Sequence, residues 1–301
     1  QPGVVLDALN IYLRPHGLQF GPDPASSNRA AMGGLVGNNS TGSHSISYGM
    51  TADHVIGMQT ILSDGTRCQF GPLGHNELAE RQVRSGIEGM LYREVATVAA
   101  DSRETILSGT PAHWRRCGGY NLDRFVAGAS FNYPQDPRFN LAKLVCGSEG
   151  TLAVMTELTL NLVPLPAYTA LAVVHFDELF GALSAVPTIL ETDPSAVELL
   201  DNLGLTLARE VPQYARLMSR FVEGNPNCVL ITEYSGESPA DLKQHVDNLQ
   251  RHLRRHGIHA TVVSALDPDL QTDVWTVRKV GLGLMMSIKG DYKPIPFIED
   301  A

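Results

Sequence analysis

The chain has 301 residues and a mass of 32.6 kDa, roughly two domains' worth at about 100–200 residues per domain, and its 43% apolar content suffices for real cores. With 32 acidic against 23 basic residues the formal charge is −9, so nothing offsets the repulsion from a phosphate backbone and nucleic acid is not expected as a partner. No apolar run approaches the ~20 residues of a bilayer span, and the opening residues lack the basic and apolar regions of a signal peptide, so the sequence reads as intracellular without an integral membrane segment.

The chain opens at Gln1 without a methionine and closes on Pro294-Ile-Pro-Phe-Ile-Glu-Asp-Ala301; both ends read as cut, as in an interior piece of a longer polypeptide. Residues 1–165 are rich in Gly, Ser and Asn and read as a strand-and-loop domain. Val55–Leu62 and Arg67–Phe70 flank Ser63-Asp64-Gly65-Thr66, and Asp-Gly between apolar runs predicts a hairpin. A polar-faced helix is expected over about 77–100, interrupted at Gly86 and Gly89. From Thr151 to Val163 the alternation puts Leu152, Val154, Leu158, Leu160 and Leu162 on one face of a half-buried strand. Pro164 and Pro166 mark a domain boundary, since neither fits inside a central strand.

Beyond it strands alternate with helices. Tyr168–Phe176 reads as a strand, Asp177 as the cap of a helix carrying Leu179, Phe180, Leu183, Val186 and Leu190, and 195–209 as a second helix. Cys228–Tyr234 is the next strand. The clearest helix follows, with Ser238 as N-cap, Pro239 at its first position, Leu242, Val246, Leu249 and Leu253 on one face and Gly257 as stop. Ile258–Val263 returns as a strand and Asp267 opens a last helix to about Ser287. Helices on one face of an antiparallel sheet account for this order, an α+β layer.

Several signatures are absent: G-x-G-x-x-G after a strand, G-x-x-x-x-G-K-[ST], G-x-S-x-G and H-E-x-x-H, which argues against Rossmann, P-loop, α/β-hydrolase and zincin enzymes. Cys68, Cys117, Cys146 and Cys228 lie far apart with no C-x-x-C, so neither a zinc ribbon nor an iron–sulfur ligand run is visible and scattered thiols are expected. His252 and His256 share a helical face, but Arg251, Arg254 and Arg255 beside them favour a solvated face, and no metal site is expected. His16, His44, His54 and His113 have no discriminating context. Gly33–Ser43, four glycines and five small polar residues in eleven positions, leaves backbone N–H groups uncovered, as close approach to an anion or a flat ring requires; the same composition also suits a surface loop. Gly147-Ser148-Glu149-Gly150 is a second such element, equally readable as a plain turn.

Together these elements carry a resemblance. Phe20-Gly21-Pro22-Asp23-Pro24-Ala25-Ser26-Ser27, the Gly33–Ser43 run with Tyr48-Gly49, Gly119-Tyr120-Asn121-Leu122, and Gly147–Thr151 before Thr156-Glu157 resemble the second half of the FAD-binding domain of vanillyl-alcohol-oxidase (PCMH-type) flavoproteins. Within that superfamily the chain is similar to the D-2-hydroxyacid dehydrogenases acting on D-lactate, D-2-hydroxyglutarate or glycolate. The resemblance implies an α+β protein in which residues 1–165 are the second part of an FAD-binding domain and residues 166–301 a substrate-covering cap of the FAD-linked oxidase type, truncated here. The family's first half-domain would precede Gln1, and 125–139 reads as an insertion of the long fused members, whose iron–sulfur ligands lie in a further C-terminal part.

The resemblance also assigns residues. Pro24, Ser26, Ser27, Gly33, Gly34, Asn39, Gly42, Ser43, Glu149, Gly150 and Thr151 fall on cofactor-lining positions, for non-covalent FAD. Backbone N–H groups there can neutralise a pyrophosphate and hydrogen-bond the isoalloxazine carbonyls. Trp275-Thr-Val-Arg278 is similar to the family's Trp-x-x-Arg, so Arg278, with Lys293, would grip the substrate carboxylate. The base histidine of the family lies after the end of this chain. The implied reaction is oxidation of a small D-2-hydroxy acid, with electrons passed to a quinone, flavoprotein or iron–sulfur acceptor, in the cytoplasm or peripherally at the inner membrane. An alcohol or sugar oxidase of the same fold using O₂, and a non-catalytic module without the cofactor, remain as alternatives.

Overall fold

The computed structural model describes residues 1–129, 131 and 133–291, which form two compact units divided in sequence between Leu165 and Pro166. In the first unit, α1 (Leu6–Leu13) leads to the short strand β1 (Leu18–Gln19), and α2 (Met32–Asn38) precedes the hairpin of β2 (Val55–Ile61) and β3 (Arg67–Phe70). Leu62 N donates to Thr66 O at 2.9 Å and closes the turn expected at Asp64-Gly65. The helical stretch expected over 77–100 divides into His75–Gln82 and α3 (Gly86–Asp101), and the break falls where Gly86 takes φ +83°. β4 (Val154–Leu160) completes an antiparallel sheet of order β3-β2-β4, and β5 (Val163–Pro164) pairs back onto β1.

Two features of this unit differ from the sequence pattern. It contains more helix than strand-and-loop composition suggests, because short segments such as α2 are held by tertiary hydrogen bonds in spite of their poor helical propensity. In β4, Gln59 opposes Glu157 while Thr60 opposes Met155, so one residue is bulged out of register. The bulge turns Met155 toward the core and leaves Val154 64% exposed, where strict alternation would bury it. The core below this sheet gathers Val55, Met58, Phe70, Tyr92, Leu141, Val145 and Cys146.

The second unit is built on an antiparallel sheet of order β7-β8-β6-β9, formed by β6 (Tyr168–Phe176), β7 (Ala196–Leu200), β8 (Cys228–Gly236) and β9 (Thr261–Ala265). Helices cover both of its faces rather than one. Ala170, Ala172, Val174 and Phe176 face α4 (Leu179–Leu190) and α7 (Pro239–Arg255), while Leu171 and Val173 face α5 (Asn202–Glu210), α6 (Pro212–Met218) and α8 (Pro268–Met286). Burial on both faces is why β6 reads as one continuous apolar run.

β7 lies where the sequence suggests helix: Ala196–Leu200 pairs with β8, and Asp201 then caps α5 by accepting from Gly204 N at 2.9 Å. α4 begins after Glu178, one residue later than the expected Asp177 cap, and presents Ala182, Ala185 and Ile189 to the sheet. Small residues allow it to pack closely, which leaves Phe180, Leu183 and Leu190 outward. α7 forms as its pattern predicts: Ser238 Oγ accepts from Asp241 N, and Leu242, Val246, Leu249 and Leu253 are buried. No helix among the described residues is long and apolar enough to cross a membrane.

Leu249 is wholly buried between α7 and the sheet. Leu249→Ala is expected to lower the stability of the second unit by about 2–5 kcal/mol, read as a lowered urea midpoint with an unchanged slope.

Candidate functional site

The glycine-rich run beginning at Gly33 is a helix for its first half. Gly33 and Gly34 lie within α2, where Gly33 N donates to Pro2 O at 2.8 Å and Gly34 is exposed with no atom within 4 Å of its Cβ position. The helix ends at Asn39, which takes the left-handed conformation (φ +52°) tolerated by asparagine. Asn39 is fully buried and its side chain is spent inside the protein: Oδ1 accepts from Ala52 N at 2.8 Å and Nδ2 donates to Arg116 O at 3.2 Å. It therefore joins three segments far apart in sequence.

At the end of α2 the Asn39 cap N–H reaches Val36 O at 3.2 Å, and the second glycine-rich element supplies further donors to the last carbonyls. Gly147 N donates to Val36 O and Glu149 N to Gly37 O, each at 2.9 Å. Glu149 needs φ +51° for this, while Gly147 and Gly150 each take φ +80°. Asn121 Nδ2 donates to Cys146 O at 2.8 Å, and the hydroxyls of Tyr120 and Thr151 lie 3.0 Å apart. The 118–121 segment and the 146–151 turn thus converge beside the end of α2.

A third segment closes the group. The Asp23 carboxylate accepts from His44 N at 2.9 Å and pairs with His44 Nδ1 at 2.7 Å. The backbone beside Gly42 approaches Asp23 so closely that a Cβ there would lie 2.3 Å from the Asp23 carbonyl carbon. Pro24, Ser26 and Ser27 form the turn that follows: Ser27 N donates to Pro24 O and Ala30 N to Ser26 O. Ser43 is half-buried next to Gly42, and Arg115 Nε donates to Thr41 Oγ1 at 3.0 Å.

Behind the group lies a buried charged cluster that sequence reading missed. Arg124 and Asp53 pair at 2.7 Å with side chains almost wholly buried, and Gln135 bonds both. Among the described residues Arg124 Nε and Nη2 have no hydrogen-bond partner, and the guanidinium lies 4.8 Å from the centre of the Phe131 ring. Lys143 Nζ donates to Ala52 O at 2.5 Å, and burial pushes its pKa below the usual lysine range. His54 is likewise buried, its Nε2–H donates to Tyr48 O at 2.7 Å, and burial lowers its pKa. Local pattern gave no signal for this cluster, whose members lie up to about 90 residues apart.

In the second unit Arg278 sits on α8 and reaches Glu198 on β7, its Nη2 at 2.5 Å and its Nε at 2.9 Å from the same carboxylate oxygen. The Arg278 side chain is 30% exposed, so donors not used by Glu198 remain accessible. Lys293 lies outside the described residues.

Comparison with known proteins meets this geometry at both ends of the chain. Residues 1–71 match the FAD binding domain, and residues 165–301 the C-terminal domain of FAD linked oxidases. The chain is 33% identical over its whole length to the D-2-hydroxyglutarate dehydrogenase of Escherichia coli K12 and 32% identical to that of Pantoea ananatis, and it spans 30% of the length of each. It is 24% identical over 97% of its length to the glycolate oxidase subunit GlcD of Escherichia coli K12, of which it spans 46%. Among solved structures, alkyldihydroxyacetonephosphate synthase shares the fold, with a TM-score of 0.60 at 17% identity over 95% of this chain and 42% of that one.

The residues at the converging segments fit a flavin. At Gly118, Gly119 and Gly150 nothing lies within 4 Å of the Cβ position, and all three are exposed. Bare backbone at these positions suits close approach by a planar or anionic group, and donors of this kind bind it without fixed side-chain charge.

Asn39→Ala would force alanine into the left-handed region and orphan Ala52 N–H and Arg116 C=O. The expected loss is about 3 kcal/mol, measured by urea unfolding, with Asn39→Gly recovering only the backbone part.

Proposed function

We propose that the protein to which this chain belongs oxidises a small D-2-hydroxy acid to the 2-oxo acid, with non-covalent FAD as the immediate acceptor. The observation that carries the reading is alignment over the whole of this chain and 30% of each relative, at 30–33% identity, with four proteins named D-2-hydroxyglutarate dehydrogenase. Alignment with a glycolate oxidase subunit and with a D-lactate dehydrogenase supports the same substrate class at lower identity.

FAD supplies the two-electron acceptor when bound. The chain's own residues orient and hold. In this reading Gly33, Gly34, Gly42, Ser43, Glu149, Gly150 and Thr151, with Pro24, Ser26 and Ser27, line the cofactor through backbone and hydroxyl groups. Asn39 acts from behind, fixing the lining segments. Arg278 takes the substrate carboxylate with the donors that Glu198 leaves, since a planar guanidinium held at one edge presents its remaining N–H groups in a fixed direction. Lys293 joins it as a second cation. The electrons leave on a quinone, a flavoprotein or an iron–sulfur protein, and the protein works in the cytoplasm or peripherally at the inner membrane.

The test is steady-state kinetics of the whole protein with D-2-hydroxyglutarate, D-lactate and glycolate. A charge-assisted hydrogen bond contributes about 1.5–3 kcal/mol, so Arg278→Ala is expected to raise KM for the preferred acid roughly 10- to 100-fold. Glu198→Gln is expected to give a smaller rise, because it loosens the guanidinium without removing it. An unchanged KM in Arg278→Ala would contradict the carboxylate assignment.

A further inference from the structure

The second unit holds a group of side chains that the proposed reaction does not use. α4 ends at Leu190, and Glu191 follows at its C-terminal cap beside the last turns of α7. His252 Nε2 lies 2.9 Å from Glu191 Oε2, bridging 61 residues of sequence. His256, the C-cap residue that follows α7, places its ring centre 4.4 Å from that of His252. One ligand atom from each of Glu191, His252 and His256 falls within 4.8 Å of the other two.

We propose that Glu191, His252 and His256 form a zinc site, with three protein ligands and a fourth position open to water. Zinc takes imidazole nitrogen and carboxylate oxygen at about 2.0–2.2 Å, so neighbouring ligand atoms in a tetrahedral site are roughly 3.3 Å apart. The observed spacing of up to 4.8 Å is wider than that value, and closing it would draw the three side chains together. Glu191, at 59% side-chain exposure, can turn without disturbing the core.

The second contact of His256 supports the assignment. Its Nδ1 lies 3.0 Å from the carbonyl oxygen of His252, which can only accept, so Nδ1 carries the proton and neutral His256 has its lone pair on Nε2. A ring fixed in this way by a backbone carbonyl is the usual outer contact of a metal-binding histidine. It is made here between the two proposed ligands themselves.

The neighbouring arginines do not oppose this arrangement in the way that their sequence proximity suggests. At about 100° per residue, Arg254 points roughly 160° away from His252 around the helix, and Arg251 about 100° away on the side remote from His256. Arg255 lies nearest, about 60° from His252 and about 100° from His256. The Glu191 carboxylate, at the C-terminal cap of α4, places a negative charge directly against His252. With two neutral imidazoles and one carboxylate, the set suits zinc and the late first-row divalent ions and disfavours magnesium, which requires oxygen ligands. The bound ion would tie the C-terminal end of α4 to that of α7 over one face of the sheet.

The test is isothermal titration of the chelator-treated chain with zinc chloride, alongside thermal unfolding with and without the ion. The expected result is one saturable equivalent of zinc and a raised Tm. Affinity should be at least tenfold weaker in Glu191→Gln, and both binding and the Tm rise should be lost in His252→Asn with His256→Asn. Magnesium chloride under the same conditions should give no saturable heat. All three side chains are at least partly exposed, and far-UV circular dichroism checks that the variants fold. Absence of saturable zinc binding in the unaltered chain, or binding that survives loss of both histidines, as uptake by a cysteine thiol would, overturns the proposal.

Discussion

Two backbone hydrogen bonds, from Gly147 and Glu149 to the carbonyls of Val36 and Gly37, set the arrangement of the candidate cofactor site. A helix end leaves its last carbonyls without partners, and leaving them unmet in a buried place is costly. Here Val36 O, which also accepts from the Asn39 cap, and Gly37 O are met by a turn over a hundred residues later, three of whose residues take positive φ. Gly147, Glu149 and Gly150 therefore exchange local backbone comfort for a tertiary connection. The connection brings exposed glycines of two segments together, with Tyr120 and Thr151 bonded between them. The same constraint explains why Asn39 is buried: only a residue tolerant of the left-handed region can end α2 there, and its amide then binds the next segments.

Behind this group the protein buries charge. The Asp53–Arg124 pair and Lys143 are desolvated, and the partners that compensate are specific: Gln135, the Phe131 ring face and the Ala52 carbonyl. Buried pairs contribute little net stability, but removing one partner is strongly destabilising, so they fix one arrangement of the loops over others. The second unit follows another course. Its strand β6 packs apolar side chains into cores on both faces, and its charged contact of Arg278 with Glu198 is left partly open to solvent.

Much of this was legible in the sequence where local chemistry decides. The hairpin at Asp64-Gly65, α7 with its Ser238 cap, and strands β6 and β8 form as their patterns predict, because turn residues, caps and periodicity act over a few positions. Val154 was misread because a bulge in β4 shifts the alternation by one, and bulges leave no reliable mark in a single sequence. Ala196–Leu200 was misread because its helical-looking composition is overruled by pairing with β8. At the candidate site, the glycine-rich segments stood out by composition, but Gly33 and Gly34 proved helical, and neither the stitch between α2 and the 147–149 turn nor the Asp53–Arg124 pair has any local signature. Glu191 could not be joined to His252 and His256 for the same reason: the fold supplies the neighbour.

The central claim is that this arrangement belongs to an FAD-dependent oxidation of D-2-hydroxy acids. The most direct measurement is the visible flavin absorbance of the whole protein during anaerobic titration with D-2-hydroxyglutarate and then with D-lactate. The account predicts an oxidised flavin band that bleaches with at least one of these acids and not with the corresponding L-acid. A flavin band that no D-2-hydroxy acid bleaches, or a protein that binds no flavin, would contradict it.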